Sequence, residues 1–280
     1  MPEGDTVHQV AEYLRQRLIG VPIDAANVPS LPGLDLEGRR ITQVATHGKH
    51  LFFVFEEGGV LRSHLGMHGS WHRYPRGQAW KRPARQASIE LHAGGQVYVL
   101  FQAEEVEWFR RGAVRDRQID RRLGPDLMAS DPSIETILLR ARQFLEPETI
   151  VADLLLDQRI AAGIGNVYKS EVLFLEAVLP RRPIGLLDDE AVERMFQTAR
   201  RLLLHNAGPG PRVTTRELPR RIAEKNQGPT PPGVQRPTAT ARLWVYGRSG
   251  RPCRACGAPI RSERMGRHWR STYWCPRCQT

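Results

Sequence analysis

The chain has 280 residues, with 41 Lys and Arg against 30 Asp and Glu, a formal net charge of +11 and a sequence pI near 10.1. That length calls for two or three units, each with its own core, and no stretch approaches the roughly 20 uninterrupted apolar residues of a membrane helix. Met1-Pro2-Glu3-Gly4-Asp5 has neither the basic nor the apolar region of a signal peptide, so a cytoplasmic protein with no membrane partner is expected. Much of the Lys and Arg falls after residue 180, and charge at this level draws phosphates through counterion release, whatever their sequence.

Asp5-Thr6 precedes Val7, Val10, Ala11, Leu14 and Leu18, a spacing that sets the apolar side chains on one helical face behind a capping residue. A helix is expected almost from the first residue. From Arg39 the pattern becomes that of strands: Leu51-Phe52-Phe53-Val54-Phe55, Ile89-Glu90-Leu91 and Val97-Tyr98-Val99-Leu100 are separated by Glu56-Glu57-Gly58-Gly59 and Ala93-Gly94-Gly95. Such hairpins predict a sandwich or barrel-like β-domain ending near residue 120. Residues 126–132 read as a connection, and from 134 to about 205 the apolar residues return to helical spacing, as in Val192, Met195, Phe196, Ala199 and Leu203. This is a small all-α domain. Residues 206–240 hold seven prolines and no lasting apolar period, and read as a mobile loop.

All four cysteines lie beyond residue 250, as Cys253-Arg254-Ala255-Cys256 and Cys275-Pro276-Arg277-Cys278, with 18 residues between the pairs. No cysteine elsewhere offers a disulfide partner, and the spacing is that of a four-thiolate structural site for one Zn2+ on a β-hairpin, with no position left for catalytic water. Four thiolates and Zn2+ leave a local charge of about −2, which Arg254, Arg261, Arg264, Arg267, Arg270 and Arg277 outweigh. A hairpin this basic suits DNA. His268 reads as a surface or phosphate-facing residue rather than a fifth ligand.

Within the helical region, Leu154-Leu155-Leu156-Asp157-Gln158 ends one apolar stretch and Ala162-Gly163-Ile164-Gly165-Asn166-Val167-Tyr168 opens the next. Two glycines around one Ile break the helix, since glycine tolerates positive φ and close backbone approach. The amides at the start of the following helix can bind a phosphate, with Asn166 adding a side-chain donor. An ordinary helical turn is the other reading.

Several motifs, in order, resemble the formamidopyrimidine-DNA glycosylase and endonuclease VIII family over nearly the whole chain. They are Met1-Pro2-Glu3-Gly4, His47-Gly48-Lys49, Ser63-His64-Leu65-Gly66-Met67, Leu155-Leu156-Asp157-Gln158 through Gly163-Ile164-Gly165-Asn166, Val245-Tyr246-Gly247-Arg248 and Trp274-Cys275-Pro276-Arg277-Cys278-Gln279. The resemblance implies an α+β multi-domain fold. Residues 1–122 would form a catalytic β-sandwich with an N-terminal helix, 132–225 a helix-two-turn-helix DNA-binding domain with a flexible loop to about 240, and 241–280 a four-cysteine zinc finger on a β-hairpin. It also implies a base-excision-repair DNA glycosylase with AP lyase activity, a monomer acting on double-stranded DNA with damaged bases or abasic sites, associated with the nucleoid.

The chemistry of the first residues fits. With Met1 removed, Pro2 exposes a secondary amine; an α-amino group has a pKa of about 8, so part of it is neutral and can attack the sugar C1′. The adduct of a secondary amine is an iminium, an electron sink that acidifies the C2′ proton, so base loss and strand scission follow from one intermediate. Glu3 is the candidate general acid/base, protonating the ring oxygen as it opens; helix capping is its alternative role. By resemblance, Lys49 contacts a phosphate flanking the lesion, while Asn166 and Arg270 grip the same backbone. His64 joins them or merely packs at a strand end. Met67 wedges into the gap left by a flipped nucleotide or is a buried methionine.

The chain also departs from the family. Thr6 stands where a second glutamate often lies, with Asp5 beside it. Gln102-Ala103-Glu104-Glu105-Val106-Glu107-Trp108 is acidic and lacks the Arg-Arg-Phe-Gly loop of the guanine-lesion branch. That favours the endonuclease VIII branch and oxidised pyrimidines, with oxidised purines such as 8-oxoguanine or formamidopyrimidine as the alternative substrates. The rival function is a non-catalytic damaged-DNA-binding zinc protein. A zinc hydrolase is disfavoured, because four cysteines saturate the ion and no HExxH-like pair occurs.

Overall fold

Helix α1 (Gly4–Leu18) turns Val7, Ala11, Leu14 and Leu18 inward, as the apolar spacing requires. Its cap differs from the expectation: Glu3 occupies the N-cap position, and Asp5 lies within the first turn, where its Oδ1 accepts the Thr6 N–H at 2.7 Å. The computed structural model describes residues 2–112, 122–215 and 241–280. The chain divides into two units, Met1–Arg122 and Leu123–Thr280.

The first unit is a β-sandwich. Strands β2 (Ile41–His47), β3 (His50–Phe55), β4 (Gly59–His64) and β8 (Glu105–Arg110) form one antiparallel sheet in the order β2-β3-β4-β8. Strands β1 (Ile23–Asn27), β5 (Ser70–Pro75), β6 (Ala87–Ala93) and β7 (Gln96–Phe101) form the other, in the order β1-β6-β7-β5. Alternation along each strand sends Val44, Phe53, Phe55 and Leu61 from one sheet and Ile89, Leu91 and Leu100 from the other into a shared core, which α1 closes.

The second unit holds helices α2 (Ile134–Phe144), α3 (Val151–Leu156), α4 (Asn166–Leu175) and α5 (Asp189–His205), then the hairpin of β9 (Arg261–Met265) and β10 (Arg270–Trp274). Ser133 caps α2 by accepting the Thr136 N–H, and Asp188 caps α5 by accepting that of Ala191. All ten residues of α4 are buried, against α3, α5 and β10. One core runs from Tyr168, Phe174 and Phe196 through Trp244 and Met265 to the four cysteines. Helices and zinc hairpin therefore share their apolar interior. Among the described residues no helix is long and apolar enough to cross a membrane. Most of the expected loop, residues 216–240, lies outside the described residues.

Candidate active site and DNA-contact residues

Pro2 is partly buried and Glu3 wholly so. Glu3 caps α1 through its backbone, whose carbonyl accepts the Val7 N–H at 3.1 Å, and its side chain makes no capping bond. Side-chain capping is thus not what this carboxyl does. Asp5, 2% exposed, accepts both the amide and the hydroxyl of Thr6. The residue replacing the family's frequent second glutamate is held by the acid that precedes it.

A second group forms at one end of the β2-β3-β4-β8 sheet. Gly48 has φ 57°, fitting a two-residue hairpin turn with glycine first, and the turn sets Lys49 at the tip between the paired His47 and His50. Across the next ladder His50 lies opposite His64, their rings stacked at 4.7 Å, and His64 Nδ1 is 3.3 Å from Glu104 Oε2. Burial pushes the His50 imidazole down to about 2, helped by the neighbouring His64. Burial also lowers His64, against the opposing pull of Glu104 and Glu105. His64 is therefore part of a titratable cluster beside Lys49, whose charge bears on both rings, rather than an isolated strand-end histidine.

Neither His50 nor Arg62 stands out in the sequence. Arg62 is 4% exposed and pairs with Glu105 and Glu107 across the strands. The acidity of the 102–108 stretch is partly answered inside the domain, by Arg62 at Glu105 and Glu107.

Met67 is 52% exposed, which removes the buried alternative. Its turn is closed by the Gly69 N–H donating to Leu65 O at 2.9 Å. Both glycines are required there: Gly66 has φ 61°, and a Cβ at Gly69 would sit 2.2 Å from the Leu65 carbonyl oxygen.

In the second unit, Gln158 staples the turn that leads into α4. Its Nε2 donates to Leu156 O and Ile164 O, and its Oε1 accepts the Gly163 N–H. Only Gly163 of the two glycines uses positive φ, at 118°; Gly165 is the extended N-cap of α4, with φ −123°. Asn166 opens the helix at 7% exposure, donating through Nδ2 to Ser271 O at 2.8 Å and accepting Lys169 Nζ at 2.7 Å. Its side-chain donor is thus engaged within the protein, a departure from the simple picture of an amide offered to phosphate. The bond carries α4 directly to β10, beside the exposed Arg270. Lys169, also unforeseen, is buried and donates to Thr272 Oγ1 at 2.6 Å.

Cys253, Cys256, Cys275 and Cys278 are each at most 2% exposed, and their sulfurs lie within 4.8 Å of one another. Knuckle amides point at sulfur, Ala255 N–H to Cys253 and Cys278 N–H to Cys275, each at 3.4 Å. Bonds from Cys275 and Cys278 hold the Cys253 thiol down at about 4, and Cys253 in turn raises the other two. Sulfurs this crowded cannot all ionise without a cation between them, so the donor set fits one tetrahedral Zn2+. Gln279 secures the knuckle, accepting the Cys275 N–H and donating to Val178 O, both at 2.8 Å. His268 is exposed on the hairpin turn and is not part of the metal cluster.

The family models that match are the formamidopyrimidine-DNA glycosylase N-terminal domain over 1–103, the H2TH domain of the same glycosylase over 123–210, and a zinc finger found in FPG and IleRS over 250–280. A probable endonuclease 8 2 of Streptomyces coelicolor is 36% identical over 284 aligned residues, covering 100% of this chain and 94% of that one. The chain belongs to the formamidopyrimidine-DNA glycosylase and endonuclease VIII family. The DNA-(apurinic or apyrimidinic site) lyase Nei2 of Mycolicibacterium smegmatis is 37% identical, with 100% and 99% of the two chains covered. In fold, this family member is similar to a Lactococcus lactis formamidopyrimidine-DNA glycosylase solved non-covalently bound to DNA containing an AP site, with TM-score 0.78, 20% identity and full coverage of both chains. Pro2, Glu3, Lys49, His64 and Met67 fall within the family's N-terminal-domain match, Asn166 within its H2TH match, and Arg270 and the cysteines within its zinc-finger match.

Proposed function

We propose that this protein excises oxidised bases from DNA and nicks the strand with the Pro2 amine as nucleophile. Family membership supplies the reaction class, a DNA glycosylase with AP lyase activity in base excision repair. The observation that carries the residue assignment is the Glu3 carboxyl, fully buried at the N-cap of α1 directly after Pro2. A carboxyl withheld from water next to a terminal amine is placed for proton transfer.

Once Met1 is removed, the Pro2 lone pair attacks C1′ and the glycosidic bond breaks, its electron pair leaving with the base, which takes up the proton shed by the Pro2 nitrogen. Glu3 delivers a proton to O4′ as the C1′–O4′ bond opens, leaving an iminium between Pro2 and C1′. Loss of the acidified C2′ proton then breaks the C3′–O bond and releases the 3′ phosphate, which cuts the strand. Lys49, on its tight turn, steadies the phosphate beside the lesion, with the neutral His64 next to it. Asn166 and Arg270 hold the backbone from the second unit, Asn166 through the helix start that it tethers to β10. Met67 fills the gap left by the flipped nucleotide. The four cysteines hold one structural Zn2+, which supplies folding energy to the hairpin and enters no chemical step.

Oxidised pyrimidines in duplex DNA are the proposed substrates, on the strength of the missing Arg-Arg-Phe-Gly loop. The protein would act as a monomer at the cytoplasmic nucleoid, with 1–122 as catalytic domain, 132–225 and its loop as DNA-binding domain, and 241–280 as zinc finger. Borohydride should trap a covalent complex on DNA carrying an oxidised pyrimidine, and Pro2→Ala should abolish it. Equal trapping in Pro2→Ala removes the nucleophile assignment; abasic-site binding by the wild type without nicking favours the non-catalytic rival. Intact mass should show Met1 absent, because a retained methionine turns the Pro2 nitrogen into an amide.

A further inference from the structure

We infer that Trp269, on the turn of the zinc hairpin, is a DNA-contacting aromatic that packs against an unstacked base of the distorted strand. The inference rests on the damaged-DNA reading above. Gly266-Arg267-His268-Trp269 joins β9 to β10, whose last pair is Met265 with Arg270. Trp269 is 66% exposed and has φ 48°, a left-handed conformation that is disfavoured for a side chain of this size. Glycine or asparagine occupies such a position at little steric cost, and an indole two-thirds exposed contributes little burial to the fold. A strained backbone at a large exposed ring points to use rather than to packing.

The turn is held, not loose. Both carboxylate oxygens of Asp153, in α3, accept the Arg267 N–H, at 3.1 and 2.9 Å. Gly266 has φ 76°, and a Cβ there would lie 2.2 Å from Asp153 Oδ1. The Trp269 N–H closes the turn on Gly266 O at 3.1 Å. The ring is therefore presented by a backbone that is ordered before any DNA arrives, which limits the entropy lost on binding. Exposed Arg267 and Arg270 lie beside it at the turn and exposed Arg264 on β9, opposite Ser271, and they draw the phosphate backbone to the turn. An aromatic platform within cationic surroundings is how proteins take up bases that have left the stack, and it tolerates any sequence because every base has a π-face.

The test uses the full, zinc-loaded chain and fluorescence anisotropy on two duplexes, one undamaged and one carrying an uncleavable abasic-site analogue. Trp269→Asn, which suits the left-handed φ, should keep its zinc and its melting temperature but bind the abasic duplex on the order of tenfold more weakly. Its slope of log Kd against log salt should match the wild type, because no phosphate contact is lost, whereas Arg270→Gln should reduce that slope by about one. Trp269→Phe should retain most of the affinity. Unchanged affinity in Trp269→Asn, or a loss accompanied by a reduced salt slope, overturns the inference and leaves the damaged-DNA reading standing. A wild type with no preference for the abasic duplex overturns both.

Discussion

Glu171 lies wholly buried in α4, and its carboxylate gathers the chain on either side of residues 216–240. Oε1 accepts the amides of Val245 and Tyr246, both at 2.9 Å, while Oε2 accepts the Trp244 amide at 2.8 Å and the Thr214 hydroxyl. Glu171→Gln keeps the shape but turns one oxygen into an NH2 group. The amide settles with its NH2 on the Oε2 side, where the Thr214 hydroxyl can turn to accept and only the Trp244 amide faces a donor. That lost bond costs about 1.5–3 kcal/mol, and the three that remain, no longer made to a charge, weaken by about 1 kcal/mol each. Relief from burying a charge returns part of that. We expect a net loss of about 3 kcal/mol, a large share of the roughly 5–15 kcal/mol that holds a domain folded. For a unit of this size that lowers the melting temperature by roughly 6–12 °C. Thermal unfolding followed by circular dichroism, with a urea titration at constant zinc, measures both quantities. A loss under about 1 kcal/mol would mean that the four bonds do little more than replace bonds to water, and the reasoning would be refuted.

Three further outcomes are expected. His50, held near 2 when folded against 6.5 in its ordinary state, takes up a proton on unfolding at any pH between these values. Stability should therefore fall as pH drops below 6.5, by about 1.4 kcal/mol per pH unit from this group. His50→Asn should flatten that slope in urea titrations between pH 6.5 and 5, and an unchanged slope would count against it. Metal analysis should find about one zinc per chain, as a four-thiolate site requires; stripping it, or Cys275→Ser, should lower the melting temperature of the helices as well as the hairpin, and helices that melt unchanged would contradict the shared core. Gly69→Ala forces a Cβ to 2.2 Å from the Leu65 carbonyl oxygen and should cost about 1–3 kcal/mol while weakening binding to abasic DNA, whereas Met67→Ala should weaken binding alone.

What the sequence made legible was local. The CxxC pairs, the α1 stripe and the strand alternation each depend on neighbours a few residues apart, and each produced the element expected. The reading of Pro2 and Glu3 rested on the Met1-Pro2-Glu3-Gly4 motif. The hidden part depends on distant partners. Arg62 meets Glu105 and Glu107 only through the β4–β8 register, 43 and 45 residues away, so nothing in the acidic stretch itself hinted that two of its three glutamates answer a buried arginine. Asn166 read as a phosphate donor because nothing near it hinted at Ser271, 105 residues on. Lys169 and Glu171 did leave a signal, two charges in a helix that is otherwise largely apolar, but periodicity alone cannot tell a buried ion from a solvated one.

The burial of α4 also fixes when the second unit is able to fold during synthesis. Its polar side chains complete their bonds with Val245, Tyr246, Ser271 and Thr272, which lie between 74 and 105 residues later in the chain. While those residues are still being added, α4 has a carboxylate, an ammonium and an apolar face awaiting cover. The helix therefore reaches its final state only after residues 245–272 have been made, and the unit depends at that stage on the cysteines at 253–278 and on a supply of metal. A chain cut short near residue 250 would lose the finger and would also leave an uncovered helix for chaperones and proteases to find.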